Sequence, residues 1–158
     1  MQTDRNDDRP LAGRVVIVTG AGSGIGRATC GALARSGATI VAVGRTLARL
    51  RETLEHVERN AGGSFRSLPL PLDVRLEDDM AGMAHRTLEE FGRIDALIAS
   101  AGVLRATRKG PTPIVDLPLE EWRAVLDTNL RGTFLSNRAV VPVMTRQKSG
   151  DIKASAVQ

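Results

Sequence analysis

The sequence predicts an α/β fold, a doubly wound parallel sheet covered by helices on both faces. Three observations carry this expectation. Short β-branched apolar runs alternate with stretches of helical periodicity. The first such run leads straight into a glycine-rich turn, Thr19 to Gly26. The helical stretches are stopped by glycines, Gly37 and Gly92 among them.

Residues 1–12 are polar and read as a flexible leader. Val15-Val16-Ile17-Val18 is a buried strand of a parallel sheet, because apolar residues fill both of its faces. Ile25 to Ser36 is a helix that Gly37 ends. Thr39 to Val43 is a second buried strand. Leu47, Leu50, Leu54 and Val57 recur at helical spacing, with Gly62-Gly63 as the stop. Leu68 to Leu72 is a third strand, placed at the sheet edge by Pro69 and Pro71. Leu76 to Phe91 is helical up to Gly92, and Ile94 to Ala99 is a fourth strand. Val103 to Leu117 holds Gly110, Pro111 and Pro113 and is a loop. A long helix opens at Pro118 or Leu119 and runs to about Arg146. Gly150 follows it, and residues 151–158 read as an aberrant or truncated fifth strand. The expected organisation is one dinucleotide-binding domain over residues 13–150, truncated at its C-terminal side.

Composition narrows the function classes. A chain of 158 residues, 42% apolar and 25% charged, is neither collagen-like nor wholly disordered. No apolar run reaches the length of a membrane span, so no membrane partner is expected. The polar N-terminus has no apolar signal region. The single cysteine, Cys30, excludes an intrachain disulfide and points to the cytoplasm. Two histidines and one cysteine leave no zinc set, and no metal is expected. The net charge is +4, but the arginines are mixed with acids and form no basic block, so no nucleic acid is expected. Tyrosine is absent.

Thr19-Gly20-Ala21-Gly22-Ser23-Gly24-Ile25-Gly26 lies between the first strand and the first helix. Glycines permit a tight turn and let backbone approach a pyrophosphate. The helix that follows offers free N–H groups and a positive dipole end to the anion.

With this turn in place, the chain resembles the short-chain dehydrogenase/reductase family, in particular its ketoacyl-reductase-like members. The resemblance covers Gly13 to about Gly150. Its landmarks, in family order, are the glycine motif, Asp73-Val74, Ala101-Gly102, Glu121-Trp122 and Asn129-Leu130 with Gly132 and Phe134. It implies a Rossmann-type sheet of strand order 3-2-1-4 and reversible hydride transfer between a nicotinamide and a carbonyl or alcohol. It implies cofactor contacts from Gly20, Ser23, Gly24, Ile25, Gly26, Arg45, Asp73, Val74, Ala99, Ala101 and Gly102. It also implies a homo-oligomer built on the long helix, an expectation the missing partner helix weakens for this chain.

Arg45 bears on cofactor choice. In NAD sites an acid about 20 residues past the glycine turn holds the ribose 2′-hydroxyl. Gly44 stands there, and Arg45 after it can pair with a 2′-phosphate. NADP(H) is therefore favoured over NAD(H); the alternative is a solvated arginine opening the next helix. Asp73 is either a strand-end turn residue or the family's adenine contact. Asn129 is either a satisfied core amide or, as the resemblance implies, the residue that holds a catalytic lysine through water. Cys30, His56 and His85 are read as structural or surface residues, and Trp122 and Phe134 as core packing.

Two departures from the family stand out. The family's Asn-Asn-Ala-Gly is Ala99-Ser100-Ala101-Gly102 here, so the first amide is missing. The Tyr-x-x-x-Lys pair is also absent, leaving Asn129 in a supporting catalytic role only. Ser155 falls short of the position of the family's serine and is assigned no role. The expected chain is a reductase-type unit that is catalytically incomplete, the alternative being a non-catalytic dinucleotide-binding fragment.

Overall fold

A computed structural model describes residues 9–61, 65–105 and 112–154. Five strands pair in parallel in the order β3-β2-β1-β4-β5. They are β1 (Val15–Thr19), β2 (Thr39–Gly44), β3 (Ser67–Pro71), β4 (Ala96–Ala99) and β5 (Asp151–Ala154). The helices are α1 (Gly24–Arg35), α2 (Leu47–Asn60), α3 (Glu77–Phe91), α4 (Leu119–Leu126) and α5 (Gly132–Gln147). The expected order 3-2-1-4 holds, and the fifth strand is short but paired, Ala96 with Asp151 through Ala99 with Ala154. Ser155, the glycine stop at Gly62-Gly63, Gly110 and Pro111, and most of the leader lie outside the described residues.

Alternation along the strands explains the double winding. Val16, Val18, Ile40 and Ala42 face α1 and α2, packing on Cys30, Ala34, Leu50, Leu54 and Val57. Ile17, Val41, Val43 and Leu97 face the other way, onto Met80, Met83, Leu135, Val140 and Val143. Full burial of a Val or Ile side chain contributes about 1.5–3 kcal/mol, so these central strands dominate the core. The edge position of β3 suits Pro69 and Pro71, which lack the N–H a central strand needs.

Gly92 ends α3 at φ 74°, its N–H donating to the Leu88 carbonyl at 2.8 Å. Gly37 does the same service after α1 at φ 87°. The fourth strand is shorter than expected because its first residues serve a junction. The Asp95 carboxylate accepts from Arg93, from Arg14 and from the Val15 N–H at 2.9 Å. Burial alone would raise the Asp95 carboxyl. Arg93, the Val15 N–H and Arg14 outweigh it and hold the group below the usual carboxylate range.

Two expectations about the long helix change. It is not uniformly α-helical: a π-helical segment, Asp127–Arg131, joins α4 to α5. Just after it Gly132 sits against Val74, where a Cβ would lie 2.7 Å from Cγ2. Trp122 and Phe134 are not core residues; they are 50% and 59% exposed. The helix buries its other face, Leu135, Ser136, Val140, Val143 and Met144. Trp122, Leu126, Leu130, Phe134 and Val141 remain outside.

Candidate functional site

The chain runs from β1 outward through β2 to β3, then returns to β4 on the other side. Strand order thus switches between β1 and β4, and a crevice opens at the carboxyl ends of the strands. Gly20, Gly22 and Ser23 line it from the turn after β1. Gly44, Arg45, Thr46, Arg49 and Leu50 line it from the start of α2, and Leu72 to Arg75 from the loop after β3. Ala101, Gly102, Val103 and Thr128 close the remaining side.

The turn needs its glycines. At Gly20, φ is 72°, and a Cβ would lie 2.8 Å from both the Ala101 Cα and the Ser100 carbonyl oxygen. A Cβ on Gly26 would lie 2.3 Å from the Gly20 carbonyl oxygen. The turn is therefore pressed between α1 and the end of β4. Ser23 caps α1 without a side-chain hydrogen bond, and no acidic residue stands in the first turn. The N–H groups there face no competing carboxylate, which suits an anion.

The hydrogen bonds that tie the crevice together are specific. The Ser100 hydroxyl donates to the Thr19 carbonyl, and the Ala101 N–H donates to the Thr19 hydroxyl at 3.2 Å. Ser100 thus supplies a link between β4 and β1 at the sequence's Ala-Ser-Ala-Gly. Asn129 spends its amide on the loop after β4. Its Oδ1 accepts from the Val103 N–H at 2.8 Å, and its Nδ2 donates to the Val103 carbonyl at 2.9 Å. It is a satisfied amide within the π-helical segment, a kind of distortion frequent at functional sites.

Asp73 is engaged by Arg75. Its Oδ1 accepts from the Arg75 backbone N–H and Nε, both at 3.0 Å. Its Oδ2 accepts from Arg75 Nη2 at 2.6 Å and Nε at 3.1 Å. The Arg75 hydrogen bond holds the Asp73 carboxyl below its ordinary range; burial opposes, and the Arg45 charge assists. The bond from the Arg75 backbone N–H to the Asp73 carboxylate is that of a strand-end turn residue.

Of the residues expected at a cofactor site, Gly20, Ser23, Arg45, Asp73, Val74, Ala101 and Gly102 line the crevice. Gly24, Ile25, Gly26 and Ala99 do not. Gly26 packs beneath the turn, and Ile25 is 54% exposed. Ala99 is a core residue paired with Thr19, because β4 runs on into the sheet up to that position. Sequence reading missed Arg49, Arg75, Thr46 and Thr128. Arg49 stands in the first turn of α2, two residues into the helix that follows Arg45 and Thr46. Nothing local marks Arg75.

Cys30 is buried, and burial pushes its thiol up to about 12. Among the described residues, no group of His, Cys, Asp and Glu could hold a metal ion, and no helix is long and apolar enough to cross a membrane.

Comparison with known proteins agrees with this geometry. The family model for short chain dehydrogenase matches residues 14–154. An uncharacterised oxidoreductase of Staphylococcus saprophyticus is 34% identical over 142 residues, covering 90% of this chain and 58% of its own. A solved NAD+-bound xylitol dehydrogenase is 30% identical with a TM-score of 0.85, over 94% of this chain and 54% of its own. A metagenomic short-chain oxidoreductase in complex with NADP is 32% identical with a TM-score of 0.81, over 92% of this chain and 62% of its own. The chain spans little more than half the length of these relatives. On its glycine turn, its switch-point crevice and the match over residues 14–154, the chain belongs to the short-chain dehydrogenase family of oxidoreductases.

Proposed function

We propose that the chain forms the dinucleotide-binding part of a short-chain oxidoreductase that favours NADP(H) over NAD(H) and exchanges hydride with a small carbonyl or alcohol substrate. The observation that carries this reading is the crevice itself, which the glycine turn, Arg45 and Asp73 line together at the strand ends. The residues present fit the cofactor. The first turn of α1 and the backbone near Gly20 and Ser23 would hold the pyrophosphate. Arg45 would pair with the 2′-phosphate, and Asp73 with Val74 would flank the adenosine. Ala101 and Gly102 would lie along the ribose and nicotinamide side. Bound NADP(H) would supply the hydride. Asn129 would act by fixing Val103, and with it the loop that walls that side. Gly24, Ile25 and Gly26 would act through their place in the turn and first helical turn rather than as walls.

Among the described residues, the charged side chains lining the crevice are three arginines and Asp73. No tyrosine occurs in its 158 residues. The Cys30 thiol stays protonated near neutral pH, and Asp73 is held ionised by Arg75. These observations favour a second reading for the 158-residue chain, a binding unit that holds the dinucleotide without turning it over. The lone buried Cys30 accords with a reducing, cytoplasmic setting.

Titration calorimetry with NADPH and NADH tests the proposal. NADPH should bind about 10- to 100-fold more tightly, the range expected for charge-assisted bonds to one phosphate. Arg45→Ala with Gly44→Asp should reverse the order. A Cβ at position 44 would meet the buried Leu50 side chain at 3.2 Å, so the aspartate requires Leu50 to shift by a few tenths of an ångström. Equal affinities in the parent chain would remove the role of Arg45.

A further inference from the structure

We propose that Arg49 and Arg75 join Arg45 as the cations that read a 2′-phosphate, and that Asp73 is the positioning residue for Arg75. The inference rests on the dinucleotide reading above and extends it to two side chains the glycine motif does not reveal.

Charge is the first argument. The charged side chains lining the crevice are Arg45, Arg49, Asp73 and Arg75, three cations against one anion. Among the described residues, no ion pair engages Arg45 or Arg49. Arg75 is compensated by Asp73, with Asp127 acting on it as well, so the excess positive charge of the lining rests on Arg45 and Arg49. A phosphate monoester brings about −1.5 to −2 near neutral pH, whereas a ribose hydroxyl brings none. The phosphorylated ligand balances the site and the hydroxyl does not.

Hydrogen-bond capacity is the second. A carboxylate has about four lone-pair sites. Arg75 engages both Asp73 oxygens with three hydrogens, its backbone N–H, an Nε–H shared between the two oxygens, and one Nη2–H. Most of the acceptor capacity of Asp73 is thus committed to Arg75. The guanidinium gives up its Nε–H and one Nη2 hydrogen to Asp73, which leaves about three donors of its five. The Arg75 side chain is 41% exposed and lines the crevice, so those donors are open to an anion in a fixed planar fork. Arg49 stands beside the turn, its Cβ 3.2 Å from where a Cβ on Gly22 would be.

Calorimetry on the 158-residue chain with three small probes tests this: adenosine 2′,5′-bisphosphate, adenosine 3′,5′-bisphosphate and 5′-AMP. The parent should prefer the 2′,5′ compound over both others. Arg49→Gln and Arg75→Gln should each cut that preference about tenfold, with a smaller loss of 5′-AMP affinity. Asp73→Asn should lower the preference in the same way, and Asp73→Asn with Arg75→Gln should lose no more than Arg75→Gln alone. If Asp73→Asn weakens all three probes equally, Asp73 contacts the nucleoside directly and its positioning role is refuted. If the preference survives both Arg49→Gln and Arg75→Gln but collapses in Arg45→Gln, the three-arginine assignment is refuted and the dinucleotide reading stands. If neither the probes nor NADPH bind the folded parent, the dinucleotide reading itself fails.

Discussion

Gly26→Ala should damage the chain more than any other small change in the turn. The new Cβ would lie 2.3 Å from the Gly20 carbonyl oxygen and 2.7 Å from the Gly20 carbonyl carbon. Both are backbone atoms, so no side chain can swing away to relieve the overlap. The helix and the turn would have to part by about 1 Å to reach ordinary contact. Overpacking of this kind costs about 1–3 kcal/mol, and the rigid neighbours argue for about 3. Gly24→Ala is the control. Nothing lies within 4 Å of its Cβ position, so only the φ of +49° is strained. That strain costs about 1 kcal/mol. In urea, with a slope of about 1–3 kcal/mol per molar, Gly26→Ala should lower the midpoint by about 1 M or more. Gly24→Ala should lower it by less than half of that. NADPH affinity should fall in Gly26→Ala, because a displaced turn no longer presents its N–H groups to the pyrophosphate. Gly26→Ala unfolding at the parent midpoint would refute the close-packed turn and the reasoning built on it.

Two further outcomes follow from other parts of the structure. Asp95→Ala strips the buried Val15 N–H of its acceptor and should cost about 2 kcal/mol, while the half-exposed Arg14 and Arg93 return to water. The folded Asp95 carboxyl is depressed, so its contribution is full above the unfolded value of about 3.9 and is lost as pH falls through the folded value. Urea midpoints of parent and variant should therefore converge below about pH 4, and a constant gap down to pH 2 would contradict this. The exposed stripe of Trp122, Leu126, Leu130, Phe134 and Val141 should make the isolated chain self-associate. Light scattering that reports a monodisperse monomer at all concentrations would oppose it.

The fold was legible because each strand carries its own signal. Val15 to Val18 and Thr39 to Val43 are apolar on both faces, as only central parallel strands are, and Pro69 and Pro71 mark an edge. Gly37 and Gly92 take the positive φ that ends a helix. The long helix was less legible. Its sequence is apolar on two faces, and periodicity does not say which face meets the sheet, so Trp122 and Phe134 were placed on the wrong side. The π-helical segment depends on hydrogen bonding at Asp127–Arg131, and no residue pattern encodes it. The turn's glycines and Arg45 were visible from spacing. Arg75 was not, since its place at the crevice comes with contacts to Asp73 that exist only in the folded loop. The resemblance implies a cofactor contact from Ala99, whereas the strand buries it, because a motif fixes sequence position and not the depth at which a strand ends.

Amide chemical shifts of the isotopically labelled 158-residue chain, followed through an NADPH titration, test the central claim most directly. Shifts are expected only at Gly20–Gly26, Arg45–Arg49, Asp73–Arg75 and Ala101–Val103, with smaller changes for NADH near Arg45. Shifts concentrated elsewhere on the sheet, or none at saturating NADPH in a folded chain, would contradict it.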